Sequence, residues 1–130
     1  MQRAGPKAVS VYVHRPLRLV TLKKRSDFLR LRDEGHKAVR GCLVLQAAPT
    51  LYEDATIHLG FTATKKLGNA VTRNRAKRRM RAAAQDILRG MGCPGLDYVL
   101  IARKNCVQSP YDTLCRDLQS AIQEVHKKIS

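Results

Sequence analysis

Between Lys65 and Arg81 the sequence runs KKLGNAVTRNRAKRRMR, with eight basic residues and no acid. Five of the eight are arginine, whose planar guanidinium matches phosphate oxygens bidentately and stacks on bases. The Gly68-Asn69 pair supplies a turn whose backbone N–H groups, with a helix start behind them, form a concavity receptive to anions. The chemistry available here is the binding of a polyanion. Elsewhere the reactive side chains are scattered. Cys42, Cys93, Cys106 and Cys115 form no C-x-x-C pair, so reduced thiols in or near a core are expected rather than a zinc or redox site. His14, His36, His58 and His126 build no H-E-x-x-H or His/Cys cluster. The acids Asp27, Asp33, Glu34, Glu53, Asp54, Asp86 and Asp97 are separated in sequence, which argues against a carboxylate cluster holding two metal ions, and there is no P-loop. No catalytic side chain and no protein-bound metal are expected.

The whole chain carries the same bias. Its 130 residues hold 25 Lys plus Arg against 10 Asp plus Glu, a formal charge of +15. The basic run contributes more than half of that excess. Such a charge opposes compaction unless an anionic partner neutralises it, so nucleic acid or an acidic membrane surface is favoured over a small neutral ligand. The length suits one domain, with 44% hydrophobic residues to build a core. No run approaches a membrane span, and residues 1–16 lack a signal-peptide pattern. A cytoplasmic location is expected, with no membrane partner.

The elements that must hold the basic run read as follows. Residues 1–17 carry Pro6, Pro16, Arg3, Lys7 and Arg15 without a period, and a flexible basic extension is expected there; residues 18–130 make the single folded domain. The segment LKKRSDFLRLRDEG from Leu22 suggests a short helix, with Ser26 as N-cap and Gly35 as stop. Cys42–Pro49 is an apolar run that fits a buried strand. Thr56–Ala63 alternates, with Ile57, Leu59, Phe61 and Ala63 on one side and Thr56, His58 and Thr62 on the other. A half-exposed strand is expected, its uncharged polar face leaving room for something to lie across the sheet. Thr72–Gly90 is the strongest helix; Ala76, Met80, Ala83, Ile87 and Met91 fall on one side and Arg75, Arg78, Ala82, Gln85 and Arg89 opposite. Asp97–Ala102 reads as an interior strand. Ser109-Pro110 starts a last helix with the stripe Tyr111, Leu114, Leu118, Ala121, Ile122, Val125 and Ile129. The order helix, strand, strand, helix, strand, helix predicts an α+β, two-layer α/β sandwich with a small mixed sheet.

The run TKKLGNAVTRNRAKRR, Thr64 to Arg79, resembles the arginine-rich RNR signature of the bacterial ribonuclease P protein component, the small basic subunit that works with a catalytic RNA. Leu22-Lys23-Lys24 to Phe28, Asp97 to Lys104 and Tyr111 onward resemble the family's first helix, later strand and last helix, so the likeness covers residues 18 to about 125. It implies a fold like that of domain 2 of ribosomal protein S5, with a left-handed crossover around the RNR helix and usually a fourth strand, which the sequence does not place. It implies that Lys65, Lys66, Asn69, Arg73, Asn74, Arg75, Lys77, Arg78 and Arg79 face the catalytic RNA. It further implies a cleft for the single-stranded 5′ leader of precursor tRNA that includes Lys24, Phe28, Arg32, Gln46, Thr62 and Thr64. Phe28 is the expected stacking platform, as single strands bind by stacking in a cationic groove; the alternative is a core residue of an amphipathic helix. Arg32 stands where relatives often have an aromatic, Gln46 where a strand tyrosine is common, and His58 where an arginine is often found, so leader contact here should lean on charge and His58 is assigned no site role.

On this reading the partners are the catalytic RNA and precursor tRNA, no protein partner is required, and the function is to assist endonucleolytic removal of the leader. No cofactor is bound by the protein alone; Mg2+ belongs to the RNA-containing holoenzyme, where the RNA performs the hydrolysis. The competing readings are a ribosomal or other structural RNA-binding protein, which needs no leader cleft, and a self-sufficient protein nuclease.

Overall fold

The computed structural model describes residues 18–52 and 56–129. The expected N-terminal extension and the acidic pair Glu53 and Asp54 lie outside them. Five strands form one sheet in the order β1-β4-β5-β3-β2. They are β1 (Leu19–Thr21), β2 (His36–Val39), β3 (Leu43–Pro49), β4 (Ile57–Thr62) and β5 (Leu96–Ala102). The helices are α1 (Arg25–Glu34), α2 (Ala70–Met91), the short α3 (Asn105–Gln108) and α4 (Tyr111–Ile129).

Two strands are additions to the three expected from sequence. β1 has only three residues and no readable period; it is defined by parallel pairing with β4, Leu19 opposite Ile57 and Thr21 opposite Leu59. β2 buries only Ala38, as befits an edge strand with polar neighbours, and pairs antiparallel with β3 through a turn at Arg40–Cys42. The expected strands are present. β5 is central, parallel to β4 and antiparallel to β3.

Covering both faces explains the continuous apolar runs of β3 and β5. Leu43, Leu45, Ala47, Tyr98 and Leu100 join the main core beneath α2 and α4, with Ala76, Met80, Leu88, Leu114, Leu118 and Ile122. On the far face Ala48 and Val99 form a smaller core with Leu22 and Leu31, against which Phe28, Tyr52 and Ile101 pack. Sheet, α2 and α4 thus make the two layers read from sequence, while α1 lies on the opposite side.

Several boundaries differ from expectation for physical reasons. α1 starts at Arg25, so Ser26 sits inside its first turn; the N-cap is Lys24, which makes no side-chain cap bond. α2 begins two residues before Thr72 because Asn69 caps it, its Oδ1 accepting the Thr72 N–H at 2.9 Å. The buried stripe of α2 is Ala76, Met80, Ala83, Ala84 and Leu88, shifted from Ile87 and Met91, which pack at the margin. Ile57–Gly60 of β4 are all buried, so the polar face of that strand is not open along its length. The ring of Tyr52 stacks on His58 at 4.5 Å between centroids, and Phe28 occupies the space above Gly60. A Cβ built on Gly60 would stand 2.6 Å from Phe28 Cε1, so only glycine admits the ring there.

Candidate nucleic-acid interface

The basic run is held at three points. A 3-10 turn, Lys65–Leu67, follows β4; Leu67 packs on the main core and leaves Lys65 and Lys66 exposed. Gly68 then adopts φ 146°, a region that side chains other than glycine's single hydrogen make costly. Asn69 caps α2, and no acid stands in the helix's first turn. The positive end of the helix dipole therefore adds to the lysines instead of being offset.

Along α2, Val71, Asn74, Arg75, Arg78 and Arg81 are exposed and repeat at helical spacing on the face away from the core. Among the described residues no carboxylate lies at ion-pair distance from any of the eight cations of this run. The first acid of the helix, Asp86, instead accepts a hydrogen bond from Tyr111 Oη at 2.6 Å. Arg73 and Lys77 are half-buried at the edges of this face. Arg79 differs from the others: its Nε donates to the Cys106 carbonyl at 2.8 Å and its Nη2 to the Ser109 carbonyl. It ties α2 to the segment around α3 and holds the array in place from behind.

The second group lies on the far face of the sheet. Lys24, Phe28 and Arg32 follow one another at intervals of four along α1, hence on one side of it. Lys24 and Arg32 are exposed and Phe28 is half-buried; Arg32 pairs with Asp33 at 2.9 Å. The register places Gly60, Val99 and Gln46 in one row across the sheet and Thr62, Ile101 and Val44 in the next, continuing to Val39 on β2. Phe28 and Leu31 cover the first row. The second remains partly open, ending at Val39, which is 56% exposed. This strip, with the Phe28 ring as one wall and the α1 cations above, is a shallow groove with an apolar floor. Gln46 is 4% exposed and lies under α1, so the structure does not bring it to the groove surface with Thr62. Thr64 is exposed beyond the end of β4.

A buried polar network fixes α1 over the sheet. The Arg30 guanidinium bridges Asp97, which is fully buried, to Asp27 and also donates to the Pro49 carbonyl at 2.9 Å. Tyr52 Oη donates to Asp27 Oδ2 at 2.6 Å, which holds the phenol above its usual pKa. His58 Nδ1 approaches Asp97 Oδ1 at 3.3 Å. Asp27 and Asp97, far apart in sequence, thus meet around the Arg30 guanidinium, and among the described residues no three His, Cys, Asp or Glu gather where they could hold a metal ion. Burial pushes the Cys106 thiol up to about 11 and raises that of Cys42, which disfavours the thiolate of each at neutral pH.

Sequence reasoning assigned no role to the exposed segment Arg103–Asn105 that follows β5. Because β4 and β5 are parallel neighbours, with Thr62 opposite Ile101, their carboxyl ends lie side by side and bring this segment next to Thr64–Leu67. Only the pairing reveals that proximity, since some 40 residues separate the two in the chain.

A family model described as Ribonuclease P matches residues 18–126. The ribonuclease P protein component of Paramagnetospirillum magneticum is 44% identical over 111 residues, covering 83% of this chain and 84% of that one. That of Ruegeria pomeroyi is 43% identical over 122 residues, covering 93% and 96%. Among solved structures, the RNase P protein of Thermotoga maritima superposes with a TM-score of 0.69 at 25% identity, covering 81% of this chain and 96% of that one. The RNase P protein of Staphylococcus aureus does so at 0.63 and 27%, covering 85% and 94%.

Proposed function

The chain belongs to the ribonuclease P protein component family, and from that premise we propose that it is the protein subunit of a ribonucleoprotein that removes the 5′ leader of precursor tRNA in the cytoplasm. The observation that carries the proposal is the acid-free cationic array running from the 3-10 turn along the exposed face of α2, rigidly mounted by Leu67, the Asn69 cap and Arg79. Lys65, Lys66, Asn74, Arg75 and Arg78 bind phosphates of the catalytic RNA, with Arg73 and Lys77 at the margins. A fixed array suits structured RNA, because the backbone carrying the side chains is already ordered by the fold and the planar arginine fork loses little freedom for each hydrogen bond it forms.

The groove beside Phe28 takes the single-stranded leader. One base stacks against the Phe28 ring while Lys24 and Arg32 neutralise neighbouring phosphates, and Thr62 lies at the groove floor; this combination binds without reading sequence. The reaction is hydrolysis of one phosphodiester bond by the RNA, with magnesium ions held by RNA supplying the activated water. The side chains of this protein neutralise backbone charge, draw the leader into register and lower the magnesium concentration that the RNA fold requires. Cleavage of a 5′-extended tRNA distinguishes the competing roles. A subunit accelerates cleavage only together with the RNA, a self-sufficient nuclease cuts without it, and a purely structural RNA-binding protein leaves the rate of the RNA unchanged.

A further inference from the structure

Two adjoining cavities, of about 530 and 690 Å3, share Leu67, Lys104 and Asn105 as lining residues. The first runs from Gly41 past Thr64 and Lys66 to Arg103. The second continues past Thr72 and Arg75 to Gln108. Together they form a trough with the 3-10 turn and the start of α2 on one side and the segment after β5 on the other. Its cations come from both sides: Lys66 and Arg75 from the first, Arg103 and Lys104 from the second.

The second wall is as firmly built as the first. The Arg103 N–H donates to the Cys42 carbonyl at 3.0 Å, and the Arg103 carbonyl accepts from the Cys106 N–H at 2.8 Å. Arg103 Nη1 donates to the Arg40 carbonyl at 2.7 Å, which leaves its other guanidinium donors for a ligand. The Asp117 carboxylate behind Gly41 is engaged by the Cys42 N–H at 2.9 Å. Arg79, bonded to the carbonyls of Cys106 and Ser109, links the two walls and sets their spacing.

We infer that this trough is a clamp for one phosphodiester strand of the catalytic RNA, with Arg103 and Lys104 acting opposite Lys66 and Arg75. The inference rests on the proposed role of the chain as an RNA-partnered subunit and extends its RNA-binding surface to the carboxyl end of β5. The trough is elongated, open and cationic on both sides, which fits a continuous polyanionic backbone better than a single small anion. Its continuity with the exposed face of α2 points to the RNA that α2 contacts rather than to the leader, whose groove lies over the far face of the sheet.

The test compares the wild-type chain with R103A/K104A and with the single variant Lys104→Glu, whose exposed side chain makes no contact that folding requires. Affinity for the catalytic RNA is measured without substrate over a range of potassium chloride concentrations, with the unfolding midpoint recorded for each protein. The clamp predicts a fall in affinity of about tenfold or more for both variants at unchanged folding, and a shallower salt dependence for R103A/K104A by roughly one to two counterions. The preference for leader-bearing over mature tRNA in the assembled complex is expected to stay at its wild-type value. Unchanged RNA affinity in Lys104→Glu would overturn the inference, and so would a defect confined to leader preference. Failure of the wild-type chain to bind the RNA would overturn the subunit role itself, a separate outcome.

Discussion

Phe28 is both a packing residue and an exposed aromatic surface, because its ring rests on Gly60 and leaves its outer side half open. The choice between stacking platform and core residue could not be made from helical periodicity, which says only that Phe28 faces the sheet. Removing the ring with Phe28→Ala should reduce the preference for leader-bearing over mature tRNA by about tenfold, as the loss of one stacked base implies, while affinity for the catalytic RNA is retained. Gly60→Ala should produce the same loss from beneath, since the new methyl group displaces the ring; equilibrium binding of the two tRNAs to the assembled complex reads both. Gln46 was equally plausible in sequence, but its register position beneath α1 removes it from the groove. A different residue contributes to acid sensitivity. Tyr98 Oη lies 2.7 Å from His126 Nε2, and burial depresses the His126 pKa below its ordinary value. The native state therefore binds fewer protons than the unfolded chain as the pH falls below about 6.5, so this contribution to stability is complete above that pH and declines beneath it. Urea unfolding at pH 5.5 and 7.5 should show a loss at the lower pH that is smaller in His126→Gln.

The long elements were legible because their patterns are strong. α2 and α4 bury stripes at helical spacing, and β3 and β5 are continuous apolar runs covered on both sides. β1, β2 and α3 were not legible: each has three or four residues, too few to show a period; β1 and α3 depend on partners distant in sequence, and β2 is a mostly exposed edge strand beside β3. The same limit hid the network that seats α1. Asp27 and Asp97 seemed too far apart to act together, yet the strand order places both against Arg30. Asp97→Asn removes the fully buried partner of a guanidinium whose side chain is only 12% exposed. It should cost about 3 kcal/mol in chemical denaturation, and it should weaken leader binding more than RNA binding, because α1 carries the groove wall. On α2, charge reversal at Arg75 and Arg78 should do the opposite. Assembly with the catalytic RNA should fall by more than tenfold, with the fold intact by circular dichroism, since both side chains are exposed and bridge no other element.

For the molecule as a whole, the excess of 15 positive charges pointed to a polyanionic partner before any element was placed, and the RNR run pointed to the family that the relatives show. What composition could not give was the separation of that charge into two surfaces, one on α2 and the trough beside it and one on α1. These lie on opposite faces of a single sheet, and on the proposed reading one small domain would hold the catalytic RNA with one side and the substrate's leader with the other. If both surfaces bind RNA as proposed, both attachments release counterions, and the assembled complex should lose affinity for leader-bearing tRNA steeply with added salt, by roughly 0.7 to 0.9 logarithmic units per logarithmic unit of salt for each phosphate contact. The most direct test of the account is single-turnover cleavage of a precursor tRNA at low magnesium, with the protein alone, the cognate RNA alone and the two combined. The account predicts efficient cleavage only in the mixture, with release of the intact leader. Cleavage by the protein alone, or a rate in the mixture no greater than that of the RNA, would contradict it.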